Sequence, residues 1–432
     1  MNKRLHMVFA LAAIASLLLS ACGPSGGTVA ASQLKRVTDP DVAPADLQEL
    51  VAGNNAFAFD MYRAVRSSDD NLFYSPYSIS LALAMTYAGA RGETSSQMAS
   101  TLHYTLPDDR LHPALNALDL DLAQRPEQAS GVSEKQRFEL NIVNSMWGQV
   151  DWPFLPEFLD TLALNYGAGM RLVDYQTAPE PARKAINAWV SDETKGKIED
   201  SIPQGVIDRL TRLVLVNAIY FKAAWEYPFE ESLTEDGPFN LLDSSQVNVP
   251  MMSLDTPELL GYLAGEGFQA VSLPYKGGLA EMVILLPDEG QFETFQTSLT
   301  ANRFAEILSG IETQSVNLTM PKFSFTRDLS LNEMLVGMGM NDAFDPALAD
   351  FSGMDDSRDL YIQAALHKAF IAVDEAGTEA AASTAIIIGL TSMPISEINI
   401  RIDRPFIFVI RDNPTGSILF LGRVVNPNSG GE

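Results

Sequence analysis

Residues 376–394 read Ala-Gly-Thr-Glu-Ala-Ala-Ala-Ser-Thr-Ala-Ile-Ile-Ile-Gly-Leu-Thr-Ser-Met-Pro and follow a predicted strand at 367–374. On composition alone, these small residues are equally typical of a helix or of a linker. Because successive side chains of a strand point to opposite faces, alternate residues separate into two sets. One set is Thr378, Ala380, Ala382, Thr384, Ile386 and Ile388, and the other is Glu379, Ala381, Ser383, Ala385 and Ile387. The stretch could therefore enter an existing sheet as a new strand without steric conflict.

The rest of the chain contains strands that could form such a sheet. Short runs rich in Val, Ile, Leu, Phe and Tyr predict strands, and apolar residues at helical spacing predict helices. The predicted strands are 138–147, 212–222, 280–286, 315–318, 398–410 and 417–425, and the predicted helices are about 46–66, 76–88, 181–190, 292–308 and 329–338. Because strands and helices do not alternate regularly, we expect an α+β fold with large antiparallel or mixed sheets.

One domain over 46–427 is the simplest organisation, because the sequence shows no fixed-period repeat and no change of composition after Ala45. The last residues, 428–432, are predicted to be a disordered tail. The chain carries 29 basic and 55 acidic residues, a formal net charge of −26. Such a surface repels phosphate backbones and anionic polysaccharides, so neither nucleic acid nor a heparin-like activator is expected as a partner.

The N-terminal 45 residues have the pattern of a leader followed by a linker. Two basic residues precede an apolar run at 7–19, and Leu19-Ser20-Ala21-Cys22 then resembles a bacterial lipoprotein signal. This resemblance implies a signal peptide over 1–21 and a lipid on Cys22, which would anchor the protein outside the cytoplasm on the cell membrane or outer membrane. An ordinary secretory signal is the alternative. Small residues, Pro and Gly predict a flexible tether over 22–45.

Residue types that carry enzyme chemistry are scarce. The chain has four histidines and one cysteine, and no His-Glu-x-x-His metal motif, phosphate-binding loop or Gly-x-Ser-x-Gly nucleophile turn occurs. His103, His112 and His367 form no pair at helical spacing. We therefore expect neither a metal nor a cofactor, and the sequence favours a binding protein over an enzyme.

Several short motifs, in order along almost the whole chain beyond the predicted tether, resemble those of the serpins, a family of protease inhibitors. They are Asn71-Leu-Phe-Tyr-Ser-Pro-Tyr-Ser-Ile-Ser80, Leu215-Val-Asn-Ala-Ile-Tyr-Phe-Lys222 with Trp225 and Phe229, Met320-Pro-Lys-Phe323, His367-Lys-Ala-Phe370, Glu375-Ala-Gly-Thr-Glu-Ala-Ala-Ala-Ser-Thr384, Arg404-Pro-Phe406 and Leu421-Gly-Arg-Val424. Each match is weak alone, but together they are specific. The resemblance implies three mixed or antiparallel sheets, about eight or nine helices and an exposed reactive-centre loop.

The resemblance also implies a mechanism. A serine protease, or for some members a cysteine protease, attacks the exposed loop, and the loop then inserts into the central sheet before the acyl-enzyme is hydrolysed. The hinge of that loop corresponds to Glu375, Gly377, Thr378, Glu379, Ala380, Ala381, Ala382, Ser383 and Thr384. No proline or charge occupies the small positions between Thr378 and Thr384 that would enter the sheet. This favours an inhibitor over a serpin-fold protein that only binds or carries a ligand.

The bond that the protease would cut follows from the family's loop length. Fourteen residues after Gly377, the convention reaches Thr391, so the reactive bond is predicted between Thr391 and Ser392, with Leu390 and Met393 as near alternatives. Uncharged residues of small to medium size disfavour trypsin-like proteases. We expect elastase-, chymotrypsin- or subtilisin-like targets.

Two further residue groups correspond to family positions that control opening of the sheet. Ser75, Ser78, Asn217 and His367 resemble the polar "shutter" under the sheet, although a buried core histidine would also explain His367. Trp189 and Lys322 resemble the "breach" where insertion starts, and Lys322 is expected to pair with Glu375. An exposed pair of this kind would contribute little stability. The resemblance further implies a monomer.

Overall fold

The computed structural model describes most of the chain. The described residues are 28–66, 70–128, 132, 138–378 and 397–429. They form an α+β fold in which helices surround two β-sheets. No helix in these ranges is long and apolar enough to cross a membrane.

Ten α-helices occur among the described residues. They are α1 (Pro44–Val65), α2 (Pro76–Tyr87), α3 (Gly92–Leu102), α4 (Asp108–Gln128), α5 (Pro156–Tyr166), α6 (Pro179–Glu193), α7 (Phe292–Ser298), α8 (Ala301–Gly310), α9 (Leu331–Gly337) and α10 (Ser352–Asp355). Helix α2 is buried along its whole length, and the Ser75 hydroxyl caps it by accepting a hydrogen bond from the Ser78 N–H. A helix so enclosed forms a fixed support for the elements around it.

Seventeen strands complete the described part. They are β1 (Thr28–Ala30), β2 (Leu72–Tyr74), β3 (Glu139–Gln149), β4 (Met170–Val173), β5 (Leu213–Ala224), β6 (Glu235–Asn240), β7 (Gln246–Ser253), β8 (Glu258–Gly265), β9 (Phe268–Pro274), β10 (Ala280–Pro287), β11 (Glu312–Pro321), β12 (Phe323–Ser330), β13 (Ala364–Val373), β14 (Gly377–Thr378), β15 (Ile398–Arg401), β16 (Phe406–Asp412) and β17 (Ile418–Val424). The first sheet has the order β1-β4-β3-β5-β14-β13-β12, and we call it the central sheet. The second has the order β2-β17-β16-β10-β9-β8-β11-β7-β6, with β15 beside β11.

The main hydrophobic core lies between the two sheets. Phe221 of the central sheet packs against Phe420 of the second sheet, with ring centroids 5.4 Å apart, and against Tyr275 at 5.2 Å. A smaller core lies on the opposite face of the central sheet, where α6 covers alternate residues of β5 such as Val214, Val216 and Ala218. The central sheet is therefore covered on both faces, as its nearly continuous apolar strands predict.

The α+β class is confirmed, and the structure corrects several details of the sequence prediction. The described strands form two sheets rather than three, because β11 pairs with β8 through its first half and with β7 through its end. Ten helices replace the expected eight or nine, since 292–308 is divided where Thr300 caps α8. The run 398–410 is likewise two strands, β15 and β16. Pro405, which has no N–H to donate, lies between them.

The predicted flexible tether over 22–45 is wrong for its described part. Residues 28–30 form β1 on the edge of the central sheet, pairing with β4, and the Val37 N–H donates to the Leu164 carbonyl oxygen at 2.9 Å. The composition of this segment does not predict its contacts, because backbone pairing at a sheet edge depends little on side-chain type. Of the predicted tail, Asn428 donates from its side chain to the Asn248 carbonyl oxygen, whereas 430–432 lie outside the described residues.

Candidate functional site

The start of the predicted hinge already occupies a place in the central sheet. The two residues of β14, Gly377 and Thr378, lie between the ends of β5 and β13, opposite Ala224 and Ala223 of β5. A β-carbon on Gly377 would lie 2.1 Å from the Ala223 carbonyl oxygen, so only glycine fits this close approach. The rest of the predicted hinge, Glu379 to Thr384, lies outside the described residues. So do the predicted reactive bond, with Leu390, Thr391, Ser392 and Met393, and the predicted lipid site, Cys22.

Thr378 is fixed by its side chain as well as by its backbone. It is 1% exposed, and its hydroxyl lies 2.8 Å from the Tyr275 hydroxyl. Tyr275 stacks on Trp225 with ring centroids 4.6 Å apart. The side chain of Thr378 therefore points into the main core, as one of the two sets of alternating residues in this stretch requires.

A tight turn leads from β13 into the hinge. The Asp374 carboxylate accepts hydrogen bonds from the N–H groups of Ala376 at 2.9 Å and Gly377 at 3.1 Å. Trp225 donates from its indole nitrogen to the Asp374 carbonyl oxygen and from its backbone to that of Ala376, both at 3.0 Å. Burial raises the pKa of the Asp374 carboxyl above its usual value. The turn is thus held from both sides.

The expected pair of Lys322 and Glu375 is present, with Nζ 2.7 Å from Oε2. It is not the exposed pair that the sequence suggested, because the Glu375 side chain is only 9% exposed. Thr234 also donates to this carboxylate, at 2.6 Å. Burial raises the pKa of Glu375, but the hydrogen bonds from Lys322 and Thr234 outweigh it and hold that pKa below its usual range.

Trp189 is not part of this region, so its assignment to the breach is wrong. It packs edge-on against Trp147 with centroids 5.6 Å apart, and the Arg171 guanidinium lies 4.1 Å from its ring centroid. Trp147 pairs with Val214 near the start of β5, at the opposite end from the hinge. The tryptophan that contacts the hinge is Trp225. Its position directly after β5 is the sequence signal that could have identified it.

Below the hinge, the central sheet is closed by direct pairing of β5 with β13. Seven residue pairs join them in parallel, from Val214 with Ala364 to Tyr220 with Phe370. A strand inserted here would separate these pairs. The hinge therefore stands at the upper end of a seam between two parallel strands.

The predicted shutter residues come together beneath this seam. Ser75, Ser78, Asn217 and His367 are all buried, and Asn144 of β3 joins them. Asn217 donates to the Ser78 hydroxyl at 2.5 Å and to the Asn144 side-chain oxygen. Sequence reasoning missed Asn144, although an amide within the apolar run of β3 was a usable signal.

The protonation of His367 follows from its two partners. The Ser75 N–H donates to Nε2 at 3.2 Å, so Nε2 accepts and the ring proton is on Nδ1, which donates to the Asn217 side-chain oxygen. Burial lowers the pKa of His367 to about 3, which keeps the ring neutral at ordinary pH. The cluster is a neutral hydrogen-bonded network that connects α2, β3, β5 and β13. It contains no nucleophile activated by a base, and no metal-binding group of three or more His, Cys, Asp or Glu occurs among the described residues.

Comparison with known proteins gives a consistent result. The model of the family described as "Serpin (serine protease inhibitor)" matches residues 52–427. Leukocyte elastase inhibitor A of Rattus norvegicus is 38% identical over 390 residues, covering 88% of this chain and 100% of that protein. An uncharacterized serpin-like protein of Thermococcus kodakarensis is 38% identical over 379 residues, covering 87% of this chain and 85% of that protein.

Two solved structures are similar along nearly their whole length. The thermophilic serpin tengpin in its native state has a TM-score of 0.79 and 30% identity, covering 92% of this chain and 100% of that chain. Human thyroxine-binding globulin, solved in complex with thyroxine, has a TM-score of 0.78 and 32% identity, covering 88% of this chain and 99% of that chain. The fold is therefore shared with a protein whose crystal contains a small molecule.

Proposed function

The chain belongs to the serpin family, and from this premise we propose that it inhibits serine proteases as a suicide substrate. The observation that carries the proposal is the hinge already paired within the central sheet. Such a hinge can extend into a full strand, and the family is one of inhibitors rather than of catalytic enzymes. The protein would thus be a substrate whose cleavage by the protease leads to inhibition.

The covalent step would use only groups of the loop and of the protease. The serine hydroxyl of the protease attacks the carbonyl carbon of Thr391, and the peptide bond to Ser392 breaks. The hydroxyl proton passes through the protease's base to the new amino group of Ser392. An ester then joins Thr391 to the protease. Cutting the loop here would free the hinge side to move.

Insertion can be traced from the pairing that already exists. Thr378 lies opposite Ala223 of β5 on one side and opposite Val373 of β13 on the other. Continuing this antiparallel register by six residues would place Thr384 between Asn217 and His367, which now pair directly. The hydrogen bond between those two side chains would have to break as the strand enters. The polar cluster would therefore hold β5 and β13 together until the loop inserts between them.

The same register accounts for the two alternating sets of residues. Ile386 and Ile388 would lie opposite Leu215 and Leu213, which face the main core. The other set, including Ser383 and Ala385, would face the smaller core under α6. Insertion would replace one parallel pairing by two antiparallel ladders and bury the isoleucines, and both changes favour the inserted state.

The end point of insertion supports the predicted reactive bond. Thirteen residues beyond Thr378, Thr391 would lie opposite residue 210, just past the start of β5 at Leu213. The acyl bond would then be at the far end of the sheet, outside the inserted strand. Relatives named as leukocyte elastase inhibitors and the uncharged loop residues support elastase-, chymotrypsin- or subtilisin-like proteases as targets.

The test is incubation with an elastase-like and a subtilisin-like protease, followed by a denaturing gel and mass spectrometry. We expect a denaturant-stable complex, and a released peptide that begins at Ser392. Thr378→Arg should abolish the complex and leave cleaved protein, because the buried site of Thr378 beside Tyr275 cannot accommodate an arginine charge, so the hinge would leave the sheet and could not begin insertion. The isosteric Thr378→Val should retain it. Cleavage without complex in both the wild-type protein and Thr378→Val would instead indicate a non-inhibitory binding protein.

Melting of the cleaved protein gives a second readout of insertion. Cutting the loop of the wild-type protein should raise the melting temperature sharply, because the freed strand completes the sheet. The cut Thr378→Arg variant should show no such rise. A wild-type protein that melts at the same temperature before and after cleavage would contradict insertion.

We also propose where the protein resides. The resemblance of residues 19–22 to a lipoprotein signal supports cleavage before Cys22, a lipid on that residue and an extracytoplasmic position on a bacterial membrane. The body is proposed to be a monomer. The intact mass of the membrane-extracted protein should include the lipid, and Cys22→Ser should abolish both the lipid and membrane attachment. Light scattering of the unlipidated body checks the monomer.

A further inference from the structure

Residues 28–37 are packed against the body of the domain rather than forming a free linker. Strand β1 pairs with β4, and a side chain on Gly169 would collide with the Ala30 carbonyl oxygen at 2.7 Å, so the close contact depends on that glycine. Further on, Arg36 donates to Asn116 at 2.8 Å and pairs with Asp119 at 2.6 Å. We call residues 28–37 the docked segment.

Docking shortens the distance between the domain and any lipid on Cys22. Five residues lie between Cys22 and Thr28. A fully extended chain spans at most about 3.5 Å per step, so over the six steps the lipid could be no more than about 20 Å from β1. This step rests on the lipidation proposed above. The end of the central sheet that carries Thr28 would then lie next to the bilayer.

The surface of the docked segment is suited to that position. Val29, Leu34 and Val37 are 46%, 49% and 39% exposed, and they are three of only nine large apolar side chains exposed in the described part of the protein. The segment contains the exposed Lys35 and no acidic residue, although the chain as a whole is strongly acidic, and its other basic residue, Arg36, is paired with Asp119. Apolar and basic side chains together favour the interface of an anionic bilayer.

We propose that the docked segment is a membrane-contact surface, covered by the bilayer that carries the anchor. The length of chain between Cys22 and Thr28 selects this occupant, because no other surface is forced to lie so near. This contact would fix the orientation of the domain relative to the bilayer. The partner is therefore a lipid surface.

This pose also sets the direction of the reactive loop. Across the central sheet, Thr28 lies level with Leu172, Gly148 and then Leu213 at the start of β5. The hinge pairs with Ala223, ten residues along the same strand, which is roughly 33 Å at the usual rise. The docked segment and the hinge are at opposite ends of the sheet. With the docked segment on the bilayer, the reactive loop would face away from the cell.

The experiment uses vesicles of phosphatidylcholine and phosphatidylglycerol that contain a photoactivatable lipid. The protein is attached through its natural lipid or, if the natural lipid is absent, through a maleimide lipid on Cys22, so failure of lipidation does not prevent the test. After irradiation, peptides are mapped by mass spectrometry. We expect several-fold more label on residues 28–37 than on residues 231–245, a range in which Thr234 contacts Glu375 of the hinge. Equal labelling, or more label near the hinge, would overturn the proposal.

Substitutions separate contact from mere proximity. Val29→Ser/Leu34→Ser/Val37→Ser should keep attachment but lose the preferential label on the segment. Leu233→Ser/Leu242→Ser, which removes exposed apolar side chains elsewhere, should leave that label unchanged. Unaltered labelling in the triple variant would show that the apolar side chains do not contact lipid.

Discussion

At the level of single residues, two buried histidines should make the protein sensitive to acid. Burial lowers the pKa of His367 to about 3 and that of His112 to about 4, from an ordinary value of 6.5. The unfolded chain therefore binds more protons than the folded one below pH 6.5. The full free energy of unfolding should be present above pH 6.5. It should decrease as the pH falls toward 4, by up to about 1.4 kcal/mol per pH unit for each histidine.

His112 allows this expectation to be checked without disturbing the seam. In His112→Phe, the loss of unfolding free energy between pH 7 and pH 5 should shrink by about 2 kcal/mol, measured by urea denaturation. Tyr166→Phe is the control, because it removes the hydroxyl 2.6 Å from the His112 ring nitrogen but keeps the titrating group. It should lower stability at both pH values equally. An unchanged pH dependence in His112→Phe would contradict the assignment.

The pair of Lys322 and Glu375 gives a second prediction at this scale. Lys322→Met should lower the unfolding free energy by about 1–2 kcal/mol, because it leaves a nearly buried carboxylate with only the hydroxyl of Thr234 as a side-chain donor. Adding Glu375→Gln should restore part of that loss. Urea denaturation of both single variants and the double variant measures the coupling, and simple additivity would show that the pair does not contribute.

Among the elements, the docked segment is the one whose stability the sequence least suggested. Arg36→Met should lower the unfolding free energy by about 1 kcal/mol, because it removes contacts with Asn116 and Asp119 that are partly shielded from water. Lys35→Met, its neighbour, should change stability by less than about 0.5 kcal/mol. Both are measured by urea denaturation of the unlipidated body. Equal effects would mean that Arg36 does not hold the segment.

How well each element could be predicted depended on where its pairing partner lies. Strands such as β5 and β10 carry their own apolar pattern, so their positions follow from the sequence within two or three residues. The edge strand β1 gains its pairing from β4, more than a hundred residues away, and its small residues predict only a linker. Trp189 and Trp225 show the same limit in the site. Both are buried tryptophans, and the position of Trp225 directly after β5 identifies it as the one at the hinge only when the register of the sheet places that end of β5 beside the hinge.

At the scale of the whole molecule, the proposed mechanism and the proposed anchoring meet at one end of the central sheet. Insertion would bring Thr391 opposite residue 210, level with the end where the docked segment reaches Thr28. A compact protease domain of about 240 residues would be about 45 Å across. The gap of about 20 Å set by the chain between Cys22 and Thr28 is too small for it. In the anchored protein the docked segment should therefore detach during inhibition, which would lengthen the tether to Pro44 to about 75 Å.

A removable lock tests whether this release is needed. Thr28 and Leu172 are direct partners in an antiparallel pair, close enough for a disulfide in Thr28→Cys/Leu172→Cys. In free solution the oxidised variant should form the protease complex as well as the reduced one, because nothing blocks the end of the sheet. On vesicles the oxidised variant should form less complex and more cleaved product, and a reductant should restore the yield.

Equal yields on vesicles in both redox states would show that the trapped protease fits beside the bilayer without release of the segment. The wild-type protein, treated identically, controls for effects of the reductant on the protease, and because the lock leaves every hinge residue in place, a loss confined to vesicles would come from the tether.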